Sequence, residues 1–167
     1  MRSVPVEELS PEAFRPFGVY AGMLVPEGEA IGESPVRFYR DMVQMAFGEP
    51  RSLPSFSVCR VERRPLVVDV TEMHSYAAEG NMPLDGDALV HVAPATPNGV
   101  CPAERIRVFR IPRGTFFTMN PGVWHHAPFV VGAAAALSML VVLPERTYAN
   151  DCLVVELDEA RRVAIQP

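Results

Sequence analysis

Apolar residues along most of this chain alternate with polar ones or gather in short runs, and glycine or proline interrupts the pattern every few residues. Alternation with period two buries one face of a strand, and breaks at Gly and Pro mark turns. The pattern predicts strands over 36–45, 55–61, 66–73, 88–93, 106–111, 115–119, 127–131, 136–143 and 152–156. A turn-rich stretch covers 25–34, and helix signals are confined to the two ends. Ser10 is an N-cap residue followed by Pro11 and Glu12, with Pro16 and Gly18 as stops. The tail, 158–163, reads as a second short helix. Many short strands with closely spaced turns predict an all-β sandwich or barrel, a single domain over 1–167.

Composition narrows the function. The 167 residues are 49% hydrophobic and 21% charged, an ordinary globular balance, with 17 prolines and 11 glycines for the turns. The net charge of −5 argues against nucleic acid as a partner but leaves room for a small anion. The N-terminus is too acidic and too poor in apolar residues for a signal peptide. The longest apolar run, 133–143, is broken by Ser138 and is too short to span a bilayer, so no membrane partner is expected. Cys59, Cys101 and Cys152 form neither a disulfide framework nor a CxxC pair, which fits a cytoplasmic protein with reduced thiols.

Chemistry concentrates in two segments. In "TEMHSYAAEGNMPLDG", Glu72 and His74 are two apart, so a strand places both on one face, and Glu79 returns to them across a turn. In "GTFFTMNPGVWHHAP", a glycine turn precedes adjacent histidines, which a strand points to opposite faces. These spacings resemble the two motifs of the cupin superfamily, G(x)5HxH(x)3-4E(x)6G and G(x)5PxGxxH(x)3N, whose histidines and glutamate converge on one metal. His74, Glu79, Gly86, Gly114, Gly122 and His125 match. Glu72 stands in the first histidine's place, Asn120 in the proline's and Phe129 in the asparagine's. The resemblance implies a jelly-roll β-barrel with short terminal helices and a metal held by Glu72, His74, Glu79 and His125. Carboxylate and imidazole donors suit Mn, Fe, Ni or Zn.

Over most of its length the chain is also similar to a narrower cupin family, the ureidoglycolate lyases. "LSPEAFRPFG" resembles that family's opening L-S/T-x-E-A-F-x-x-F/Y-G. "FYRDM" resembles R-Y-H-D-L, "VWHHAPF" resembles V-W-H-H-P-L-F, and "NDCLVVEL" resembles D-N-C-x-V-E. Departures fall at the site: Glu79 replaces a glutamine, Met73 an arginine and Asn120 a histidine. An anionic Glu79 favours a divalent cation.

The resemblance implies cleavage of ureidoglycolate to glyoxylate and urea, or action on another small hydroxy- or keto-acid, by a homodimer. The reaction needs a base for the carbinol proton, stabilisation of the departing urea nitrogen, and a cationic partner for the carboxylate. Glu72, His125 and His126 are the catalytic candidates, and Tyr39 and Arg40 the contacts for a small carboxylate substrate, Arg40 being brought by the second protomer or an edge strand or else a solvated surface arginine. His126 is read either as an outer-face residue or as a substrate-side group. His91 is read as structural, and Cys101 has no base near it in sequence. Competing readings are a metal-binding cupin of other chemistry, isomerase or dioxygenase, and a non-catalytic small-molecule-binding barrel.

Overall fold

The computed structural model describes residues 1–47 and 52–167. Its strands, in chain order, are β1 (Arg2–Glu8), β2 (Gly18–Gly22), β3 (Ala30–Ile31), β4 (Phe38–Tyr39), β5 (Pro54–Glu62), β6 (Val67–Val68), β7 (Val70–Met73) and β8 (Glu79–Pro83), then β9 (Ala88–Val92), β10 (Arg107–Ile111), β11 (Thr115–Met119), β12 (Phe129–Val130), β13 (Ala136–Pro144), β14 (Leu153–Glu156) and β15 (Val163–Gln166). Two sheets dominate: β12-β9-β10-β1-β15-β6, and β2-β11-β8-β13-β5. The all-β barrel expected from the pattern is the architecture found.

Strand β9 shows how the core is shared. Its five residues are all buried, so both faces are covered. Ala88, Val90 and Val92 pack with Phe109 and Ile111 of β10 against Phe117, Met119, Leu137 and Met139 of the other sheet. Leu89 points the other way, toward Trp124, Phe129 and Ile106. The first helix, α1 (Pro11–Phe14), begins as expected: Ser10 Oγ accepts the Ala13 amide at 3.2 Å. It delivers Phe14, fully buried, edge-on to Phe109 and Phe117.

Several elements differ from the sequence reading. Strand β1 was not predicted. It lies parallel to both β10 and β15, and parallel neighbours are remote in sequence, so local pattern does not announce them. Residues 158–163 are not helical. Arg161 closes one turn onto Asp158, and the alternating Val163 and Ile165 then enter the core as β15. The run 66–73 divides at Asp69, sending β6 to β15 and β7 to β14. Only Phe38–Tyr39 of 36–45 is strand. Strands β2 and β8 were also missed, being short and rich in glycine and polar residues.

Candidate metal and active site

Three segments meet at one end of the barrel interior. Strand β7 carries Glu72, with His74 just beyond it. The Glu72 amide donates to the His125 carbonyl at 2.6 Å, and the His125 amide donates back to Glu72 at 2.8 Å. This reciprocal pairing sets the two residues directly opposite, so their side chains share a face. The Gly122 amide closes on the His74 carbonyl at 2.6 Å. Gly122 itself has φ +81°, and a Cβ there would sit 2.9 Å from the Ala95 Cβ, so the turn that aims His125 requires glycine. Strand β8, in the middle of the five-stranded sheet, brings Glu79 from the third side.

Carboxylate and ring atoms of Glu72, His74 and His125 lie within 4.8 Å of one another. Glu79 Oε2 is 3.0 Å from His74 Nε2 and 3.3 Å from His125 Nε2. The other faces of both rings are tied down. His74 Nδ1–H donates to the Asp151 carbonyl at 2.6 Å and His125 Nδ1–H to the Val123 carbonyl at 2.8 Å. Carbonyls only accept, so both Nδ1 atoms carry protons and both Nε2 atoms face Glu79. If the rings were neutral, two lone pairs would confront a buried carboxylate.

The arrangement therefore calls for a cation or added protons between these groups. Burial raises the Glu79 carboxyl, but the two imidazoles outweigh it and hold the group well below the usual carboxylate range. Burial lowers His125, and the charge and hydrogen bond of Glu79 reverse this, leaving the ring above its ordinary value. A divalent cation among them would offset this charge and these lone pairs without protons. Donors about 2.1 Å from one ion and at right angles stand about 3 Å apart, the spacing seen between Glu79 and the imidazoles. Glu72, His74 and His125 thus fit a metal, with Glu79 against both imidazoles, and bound there it would polarise oxygen ligands as a Lewis acid.

Beside this cluster lies a cavity of about 240 Å³. Glu72, His74, Glu79 and His126 reach it, with apolar wall from Phe117, Met139 and Val141. His126 thus reaches the cavity, while His125 lies behind it against Glu79. The reason is local: strand pairing ends at His125, and the chain bends at Ala127. His126 Nδ1 accepts the Ala127 amide at 2.7 Å, so the neutral ring keeps its proton on Nε2. Burial and neighbouring charges hold His126 below its usual value. Trp124 takes the opposite face into the core, with its indole N–H on Thr96.

Other groups were not foreseen. Asn81, two residues beyond Glu79 on the same face, donates to Glu79 Oε1 at 2.8 Å. The Cys152 thiol donates to Glu72 Oε2 at 3.4 Å, and burial beside that carboxylate pushes the thiol up to about 12. Period-two spacing from Glu79 was a signal for Asn81, and the resemblance of "NDCLVVEL" to D-N-C-x-V-E was the signal for Cys152. His91 lies beneath the site. Its Nε2–H donates to Thr71 Oγ at 3.2 Å, and Thr71 donates to the His125 carbonyl at 3.2 Å. Its Nδ1 is buried with no partner among the described residues, and burial keeps this ring neutral to well below the ordinary value. Cys101 is buried, its thiol raised to about 11 by burial.

Tyr39 and Arg40 require correction as substrate contacts within this chain. Neither lines the cavity. Arg40 borders a separate depression with Glu27 and Glu29, pairs with Glu29 at 3.8 Å, and leaves 55% of its side chain exposed. It sits in the turn-rich excursion outside the barrel, so alternation from a long strand over 36–45 does not apply. No arginine or lysine lines the cavity among the described residues.

Comparison with known proteins places the chain in a family. A ureidoglycolate lyase from Azotobacter vinelandii is 32% identical over 129 residues, covering 75% of this chain and 76% of the relative. One from Stutzerimonas stutzeri is 32% identical over 133 residues, 75% of each chain. Among solved structures, a dTDP sugar isomerase from Desulfovibrio desulfuricans superimposes with TM-score 0.52 at 13% identity over 87% of this chain and 89% of that one, a likeness of fold alone. The ureidoglycolate lyase family model matches residues 1–164, nearly the whole length, and the chain belongs to the ureidoglycolate lyase family.

Proposed function

We propose that this protein cleaves ureidoglycolate to glyoxylate and urea, with a divalent metal held by His74, Glu79, His125 and Glu72. The observation that carries the reading is Glu79 Oε2 set between two imidazole Nε2 atoms beside a small cavity, in a chain of the lyase family. The cavity is below the roughly 300 Å³ at which pockets for drug-sized ligands begin, which suits a small acid. A bound metal would supply the positive charge for the substrate carboxylate, which no guanidinium or ammonium among the lining residues provides.

The residues divide the remaining work. Glu72, open to the cavity, accepts the carbinol hydroxyl proton as that oxygen's electron pair forms the carbonyl. The C–N bond breaks, and its pair leaves on the urea nitrogen. The same proton then returns from Glu72 to that nitrogen, on which the His126 Nε2–H holds a hydrogen bond as charge develops. The apolar wall excludes water and strengthens each of these interactions. His125 would hold the metal and, through its backbone, fixes the position of Glu72.

A homodimer in the cytoplasm belongs to the same proposal. Phe56 and Val58 on the outer face of edge strand β5 are 69% and 62% exposed, which supports association of two copies there. No helix among the described residues is long and apolar enough to cross a membrane, and three free cysteines suit a reducing compartment.

The test is to strip the purified protein with chelator, restore Mn, Fe, Ni or Zn singly, and measure urea and glyoxylate release from ureidoglycolate. Release in equal amounts that depends on one restored metal is expected. Absence of release with every metal, at full metal occupancy, refutes the reading.

A further inference from the structure

We infer that Asn81 reads the ureido group of the substrate, an inference that rests on the lyase reading of the cavity. Asn81 is 96% buried, at 4% relative exposure, yet borders the cavity. It stands on β8 directly opposite Phe117 of β11 and Val141 of β13, and all three line the same wall. A polar amide set in an apolar wall is costly unless both its ends find partners.

One end is accounted for. The carboxylate of Glu79 can only accept, so the contact at 2.8 Å fixes the amide orientation with Nδ2 toward Glu79. The carbonyl Oδ1 accepts no hydrogen bond among the described residues, and the cavity that Asn81 borders is where a donor can reach it. Among the described residues only His91 Nδ1 is sealed from solvent without a partner, so Asn81 Oδ1 is open to the cavity, where the N–H or O–H donor of a ligand can take the place of water. A ureido group is planar and carries such N–H donors, whereas a simple hydroxy- or keto-acid bound through carboxylate and hydroxyl has none to spare. Asn81 therefore selects for small acids bearing an amide or urea nitrogen. The apolar neighbours reject a competitor that leaves Oδ1 unpaired.

Two inert probes separate this role from mere support of Glu79. N-carbamoylglycine has the carboxylate and ureido group of the substrate without its reactive hydroxyl, and glycolate has the carboxylate and hydroxyl without the ureido group. Their dissociation constants are measured by calorimetry at saturating metal, for the unaltered protein, Asn81→Leu and Asn81→Asp. Asn81→Leu removes the acceptor and should cut the preference for N-carbamoylglycine over glycolate on the order of tenfold. Asn81→Asp keeps an acceptor oxygen but gives up the donor to Glu79, so both probes weaken together and the preference stays. Loss of both probes in parallel in Asn81→Leu, or an unchanged preference, overturns the inference. Urea release by the unaltered protein is followed in the same preparation. Release with an unmoved preference sinks the role of Asn81 alone. No release sinks the functional reading and this inference with it.

Discussion

Replacing Glu79 by Gln tests the electrostatic logic of the site most directly, because it keeps the shape and removes the charge. Asn81 Nδ2 requires an oxygen opposite it, 2.8 Å away, so the new amide places its carbonyl there and its NH₂ toward His74 and His125. That NH₂ donates to the two imidazole Nε2 lone pairs, formerly 3.0 and 3.3 Å from the carboxylate. The metal-free site is then neutral and fully hydrogen-bonded. Binding a metal must flip the amide, break the Asn81 contact and proceed without an anionic ligand. Loss of an outer-shell partner alone costs metal sites about 10–100-fold, so the affinity should fall by at least about 100-fold, or about 2.7 kcal/mol.

The metal-free proteins should also differ with pH. In the unaltered protein His125 is raised above 6.5, so its contribution to stability is full below that value and is lost as pH rises through the folded-state value. Glu79 is depressed below 4.5, so its contribution is present above that value and is lost as pH falls toward the folded-state value. Both contributions overlap between about pH 4.5 and 6.5, and Glu79→Gln removes both. Burial, the largest influence on His125, then draws its titration downward. Competition titration against a chromogenic chelator measures the affinity, and nitrogen NMR of the imidazoles follows His125. Unchanged affinity together with an unmoved His125 titration would refute the reasoning.

Other changes probe separate parts of the structure. His126→Ala should leave metal content intact and lower kcat on the order of 100-fold. Metal loss, seen by elemental analysis, would instead make His126 a ligand. Arg40→Ala should leave kcat/KM unchanged, since Arg40 borders a different depression. A large loss would mean that a second protomer carries Arg40 into the site. Phe14→Ala should destabilise by about 3–5 kcal/mol in denaturant unfolding, because the ring is fully buried against Phe109 and Phe117. A cost near zero would mean that the α1 contact closes up after truncation.

The sequence by itself determined the strand-rich class, the capped helix at Ser10 and the two half-motifs that meet, because these depend on residues close together in the chain. Period two placed Glu72 beside His74, and the glycine turn placed His125, before any contact was known. Tertiary structure alone decided the rest. Strand β1 finds parallel partners about a hundred and more residues away, which no local pattern encodes. His126 reaches the cavity beside the His125 cluster because pairing stops between them, a fact of register rather than of residue type. Arg40 looked like an anion contact from its residue type, yet its place outside the barrel follows from the path of 23–47 around it. Asn81 and Cys152 gain meaning only from the carboxylates they touch, and Cys152 reaches Glu72 across the β14–β7 pair. Local preference specifies what a segment can form. Burial and hydrogen-bond pairing between distant segments decide which polar groups share a low-dielectric interior, and there the chemistry of this site is set.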